Sequence, residues 1–238
     1  MKTISVSLLL IMLTLASTAQ EISPIKKWSF GVELFPNVTF EILKSDGTAP
    51  TTSEAFYRDL EKPKFCLSGQ VYATYMLNSK MSVSFGLGYQ NTGNQTKYQD
   101  LSWVAPGTSF DPAIPNKVKY VYDHHNIQVP VFYSYNFTKR FYARGGFSTL
   151  FNFSNTVTQV LQDFNGNKSR STNEDMSIPE FRTLNFSGNL GFGYTFYSSS
   201  RFKLYAQTNI ESAMLQLKKG APLNRRPVSI GLILGARF

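Results

Sequence analysis

The stretch Leu184-Asn-Phe-Ser-Gly-Asn-Leu-Gly-Phe-Gly-Tyr-Thr-Phe196 decides the fold. Leu184, Phe186, Leu190, Phe192, Tyr194 and Phe196 occupy even positions, and Asn185, Ser187, Asn189, Gly191, Gly193 and Thr195 stand between them. A period of two marks a strand whose two faces meet different surroundings. The chain then turns at Ser198-Ser199-Ser200 and returns with Phe202, Leu204, Ala206 and Ile210, which makes a hairpin.

The same pattern extends in both directions. Upstream, Ile127 to Phe137 and Phe141 to Phe153 flank the short Thr138-Lys139 turn, and Phe65 to Leu77 and Met81 to Tyr89 flank Asn78-Ser79. A first strand sets Trp28, Phe30, Val32, Leu34, Val38, Phe40 and Ile42 against Ser29, Gly31, Glu33, Asn37, Thr39 and Glu41. Downstream, a last strand sets Val228, Ile230, Leu232, Leu234, Ala236 and Phe238 against Ser229, Gly231, Gly235 and Arg237. The eight strands predict long connections at 43–64, 91–117, 154–182 and 212–226 and short turns between them. Membrane barrels have this asymmetry, with tight periplasmic turns and long extracellular loops. Asn165-Gly166 is placed to cap a hairpin within the third long loop. Pro130, inside a strand, predicts a bulge.

Alternation alone does not separate a membrane barrel from a soluble lipocalin-like cup. Composition separates them. Only 16% of the 238 residues are charged, against 20 Phe and 13 Tyr. The polar face is built of Ser, Gly, Asn, Gln and Thr, too poor in charge for a soluble exterior and suited to a polar lumen. Trp28, Tyr75, Tyr135, Phe137, Phe141, Tyr194, Phe196, Phe202 and Phe238 gather at the short turns and chain ends, where a periplasmic aromatic girdle belongs. The expected fold is all-β: an eight-stranded antiparallel up-and-down transmembrane barrel.

The N-terminus carries Lys2, the apolar run Val6 to Leu15 and the small residues Ser17-Thr18-Ala19. This predicts a signal peptide over 1–19, cleaved before Gln20, then a periplasmic segment over 20–27 and the barrel over 28–238. The apolar run is too short to span as a helix. Cys66 alone cannot form an internal disulfide. The net charge of +9, or +8 once Lys2 is removed, is spread over loops and strand ends, without the patch that nucleic acid requires. Phosphate-rich membrane surfaces or anionic solutes suit it better.

The segments Asn126-Ile-Gln-Val-Pro-Val-Phe-Tyr-Ser-Tyr-Asn-Phe137 and Phe141-Tyr-Ala-Arg-Gly-Gly-Phe147 resemble the central hairpin of the PorT-like outer-membrane β-barrel family of Bacteroidota. The Ala19-Gln20 junction is similar to cleavage sites common in that group. The resemblance is sharpest in this hairpin and in the terminal aromatic Phe238, which suits recognition by the outer-membrane assembly machinery. It implies location and fold rather than activity. Some relatives take part in the type IX secretion system, and no functional residue carries over.

An eight-stranded bore is only wide enough for side chains to fill it. Glu33, Glu41, Arg144, Lys203, Glu211 and Arg237 fall on the polar phase and are expected to form a luminal charge network, with Glu33 paired to Lys203 or Arg237 on the closing strands. Buried charge must be paired whether or not it gates anything. His124 and His125, beside Asp123, are read as solvated or girdle residues, because no Gly-x-Ser-x-Gly nucleophile motif accompanies them. No cofactor or metal site is expected. Loop residues Trp103, Lys117, Tyr120, Tyr122, Lys168, Arg170, Lys218, Lys219, Arg225 and Arg226 form the expected contact surface for protein partners, beside lipids and lipopolysaccharide. The leading expectation is an interaction scaffold. The alternatives are a narrow solute channel and, behind it, a lipid-modifying enzyme.

Overall fold

The computed structural model describes residues 27–45, 47, 51–101, 114–175, 180–199 and 202–238. The expected export segment, its cleavage point and Trp103 lie outside them. The elements are β1 (Trp28–Ser45), α1 (Thr51–Leu60), β2 (Glu61–Lys62), β3 (Lys64–Met76), β4 (Met81–Thr92), β5 (Gln95–Thr96), β6 (Gln99–Asp100), β7 (Pro115–Asn136), β8 (Phe141–Asp163), β9 (Lys168–Glu174), β10 (Leu184–Ser198), β11 (Lys203–Ala213) and β12 (Leu223–Arg237). Eight of these strands form a ring, β7-β4-β3-β1-β12-β11-β10-β8, which the β7–β8 ladder closes; every pairing is antiparallel. The last residue joins the ring, with Phe238 N donating to Phe30 O at 2.7 Å and Phe30 N donating to Phe238 O at 3.2 Å. A closed ring leaves no edge and satisfies every ladder, which a strand structure in hydrocarbon must do.

The faces are sorted as the period of two requires. Phe30, Phe65, Phe147 and Phe192 are each more than 60% exposed, whereas Thr39, Thr74 and Ser187 are fully enclosed. Gln207 is among the largest fully buried side chains. In water this would be an inverted protein; with lipid outside, both faces are solvated by their own kind. Aromatic pairs close the band at the short-turn end: Trp28 with Tyr75 at 4.9 Å between centroids, Phe141 with Tyr194 at 4.8 Å and Tyr197 with Phe202 at 5.1 Å. An outer girdle of Tyr89, His125 and Phe153 lies at the opposite rim, where the Tyr89 hydroxyl meets His125 Nδ1 at 2.5 Å.

The structure departs from expectation above that rim. β7 and β8 run for 22 and 23 residues, about twice the 9–11 needed to cross a bilayer, and stay paired to Pro115↔Asp163. The expected loop at 154–182 is therefore largely strand, with β9 folded back on β8 around Gly166 at φ +85°. The loop at 43–64 contains α1. Pro130 causes no bulge: it stays in register with Ser148, and the register around it on the β4 side does not shift. A residue without an amide proton fits where the ladder needs none. The register of this ladder shifts at Pro115/Lys117 and at His125/Asn126, where Phe153 on β8 has no opposite residue.

Candidate functional site

The inward residues stack as layers along the bore. At mid-height, Glu33 of β1 meets Arg144 of β8, which stands four places away around the ring, across the full width of the barrel. Arg144 donates twice, from Nη1 to Glu33 Oε1 at 2.5 Å and from Nη2 to Oε2 at 3.1 Å. Gln70 and the Tyr205 hydroxyl also donate to this carboxylate. Glu33 and Arg144 are 3% and 4% exposed, and such a pair tolerates burial only with this degree of hydrogen bonding.

The pairing of Glu33 with Lys203 or Arg237 is corrected. Arg237 is in register with Gly31, two residues nearer the periplasm than Glu33, and Lys203 is in register with Arg237. In a narrow bore a long side chain reaches the facing wall more readily than a ladder neighbour one layer away. Arg237 instead lies against the rings of Tyr72 and Tyr205, each 5.8 Å away. Tyrosine rings fit here because glycines face them: a Cβ on Gly193 or Gly235 would come within 2.0 Å of Tyr142 or 2.2 Å of Tyr205.

Apolar side chains fill the next layer. Phe35 and Ile233 cluster with Tyr72, Tyr142 and Tyr205, and the Phe132 ring lies 4.4 Å from the Arg144 guanidinium. Phe35, Phe132 and Ile233 occupy polar-phase positions and were not anticipated as a plug. Their signal was available, because an apolar residue on the luminal phase of an otherwise polar face has to pack against something. A gap of about 20 Å³ lies beside them. Above the plug, Glu211 is enclosed, has no cation partner among the described residues and accepts from Ser187 at 2.5 Å.

A second ionic group sits at the outer rim. Arg225 Nη1 lies 2.9 Å from Glu41 Oε2 and 2.5 Å from Glu61 Oε1. Burial opposes its charge, but the two carboxylates hold the Arg225 guanidinium above its ordinary pKa. His124 Nε2 is 3.5 Å from Glu41 Oε1, its Nδ1 is 2.9 Å from Asn155 Oδ1, and the ring is 3% exposed, so His124 is neither solvated nor in the girdle. Asp123 pairs with Lys64 and accepts from Asn91, so it does not orient this imidazole. The group floors a vestibule of about 840 Å³ walled by Phe56, Tyr57, Tyr120, Tyr122 and Phe181. Tyr120, Tyr122 and Arg225, expected on the contact surface, thus turn inward. The site residues therefore form three separate layers rather than one network: Glu33 with Arg144, Glu41 with Arg225, and Lys203 beside Arg237; Glu211, held by Ser187, makes no ion pair among the described residues. Among the described residues no cluster of metal-ligating side chains occurs.

A family model described as "Outer membrane protein beta-barrel domain" matches residues 18–210. No curated protein matches the chain. Among solved structures, Ail of Yersinia pestis is similar at 11% identity and a TM-score of 0.36, over 89% of this chain and 98% of that one. Neisserial surface protein A is similar at 11% and 0.38, over 88% and 95%. OprG of Pseudomonas aeruginosa is similar at 15% and 0.30, over 89% and 96%.

Proposed function

The chain belongs to the outer membrane protein beta-barrel domain family, and from that premise we propose that it is a non-conducting outer-membrane scaffold that presents its extracellular extension to a protein partner. One observation carries this reading. The bore is blocked at mid-height by the Glu33–Arg144 pair and the Phe35, Phe132 and Ile233 side chains, while β7 and β8 continue as a ladder far above the rim. A closed bore under a projecting sheet favours display over conduction. On this reading the chain is exported through the 1–19 segment, Phe238 guides insertion, and the barrel has no catalytic role of its own. The PorT-like resemblance supports a place as an accessory of secretion or surface-complex assembly.

A gated channel is the second reading, favoured by the vestibule at the outer rim and by a cavity of about 280 Å³ at the short-turn end of the bore. Planar-bilayer recording separates the two. The scaffold predicts no steady conductance from the native protein, and a step appearing only when Glu33→Ala and Phe132→Ala remove the plug. Discrete native conductance that changes in Glu33→Ala alone would favour the channel. Purification of the native complex, with β9 deleted as the control, tests the partner: the deletion is expected to release it.

A further inference from the structure

The periplasmic mouth of the bore is a cavity of about 280 Å³, and its chemistry is one-sided. Lys139, Lys203 and Arg237 line it together with Ser134, Tyr142 and Thr195, and among the described residues no acidic side chain does. Lys203 and Arg237 are direct cross-strand partners on the same luminal face. Like charges placed so are destabilising unless something neutralises them. None of the ion pairs among the described residues includes either one. The nearest luminal acid, Glu33, is taken by Arg144. The Arg237 side chain makes one hydrogen bond among the described residues, a long 3.5 Å contact from Nε to the Tyr72 hydroxyl.

Two further groups point the same way. Ser134 and Tyr142 line this cavity and are 3% and 7% exposed, and their buried hydroxyls have no hydrogen-bond partner among the described residues. A buried hydroxyl without a partner is costly, and two such donors stand beside two cations that no acid pairs among the described residues. Donors and cations converging without an acid are complementary to a compact oxyanion with several acceptors.

We propose that the periplasmic mouth is a binding site for a phosphate group, held between Lys203 and Arg237 and capped by Ser134 and Tyr142. This site does not depend on whether the protein is a scaffold or a channel. The phosphate has two sources with the same chemistry: a free phosphate ester of the periplasm, or a phospholipid headgroup of the inner leaflet reaching around the rim.

The test uses the full mature chain, folded in a phosphate-free alkyl maltoside, with inorganic phosphate as the probe and chloride at equal ionic strength as the control. Saturable stabilisation by phosphate, absent with chloride, is expected by thermal melting and by broadening of the phosphorus resonance. Lys203→Gln lies at the exposed mouth, and its folding is checked by gel mobility; it is expected to weaken binding about tenfold, the loss of one charge-assisted contact. Tyr142→Phe keeps the ring and removes the donor, and is expected to weaken binding by a smaller factor. Repeating the titration in phosphatidylglycerol nanodiscs separates the sources: binding that persists assigns a free ester, and binding that vanishes there but not in maltoside assigns the headgroup. Equal effects of phosphate and chloride, or unchanged affinity in Lys203→Gln, would overturn the proposal.

Discussion

At the residue scale the account turns on a carboxylate and a guanidinium that meet across the bore. Removing one member of a buried pair strands the other, which costs about 3–5 kcal/mol, whereas replacing both by neutral groups of similar size costs far less. Glu33→Gln and Arg144→Met should therefore each lower the unfolding midpoint in urea sharply in lipid vesicles, and the double variant should recover most of the loss. Equal costs that simply add would mean that the two side chains do not pair. The luminal phase of both residues was legible in the sequence, because a period of two assigns each position a face. Their partnership was not, since it depends on which strands stand opposite after closure, and sequence neighbours suggested the closing strands instead. His124 shows the same limit: the sequence suggests a solvated or girdle residue, whereas the Glu41 and Asn155 that enclose it come from other strands.

Among the elements, the β8–β9 hairpin reaches farthest beyond expectation. The strand hairpins with outward apolar faces were readable because lipid demands strict alternation; above the membrane that demand ends, and the stretch Ser154 to Asp163 mixes Val157, Val160 and Leu161 with polar residues at no single phase. The Asn165-Gly166 turn was readable because Gly166 needs a positive φ that few other residues adopt. Asp163 fixes that turn by accepting from Asn167 N at 2.8 Å and Asn167 Nδ2 at 2.9 Å. These contacts with Asn167 hold its carboxyl below the usual range. A depressed carboxyl contributes order that is fully present above its unfolded pKa and lost as pH falls through the folded value. Amide exchange at Asn165 to Asn167 should thus accelerate relative to the rest of β8 as pH drops below about 4, and Asp163→Asn should abolish that dependence. A turn equally protected at low pH would show that Asp163 does not hold it.

For the whole molecule, the central claim is that the chain is a closed eight-stranded barrel with lipid outside and a packed polar lumen. Fold class, strand number and facing were all readable from alternation and loop asymmetry. The luminal plug and the two vestibules were not, because they arise from side chains of non-adjacent strands converging after closure. Spin labels placed singly from Ser229 to Gly235 of β12 in lipid vesicles test the claim most directly, read by accessibility to oxygen and to a water-soluble nickel chelate. The account predicts oxygen access at Ile230, Leu232 and Leu234, and low access to either reagent at Ser229, Gly231 and Ile233. Chelate access at the first set, or no alternation along the strand, would contradict it.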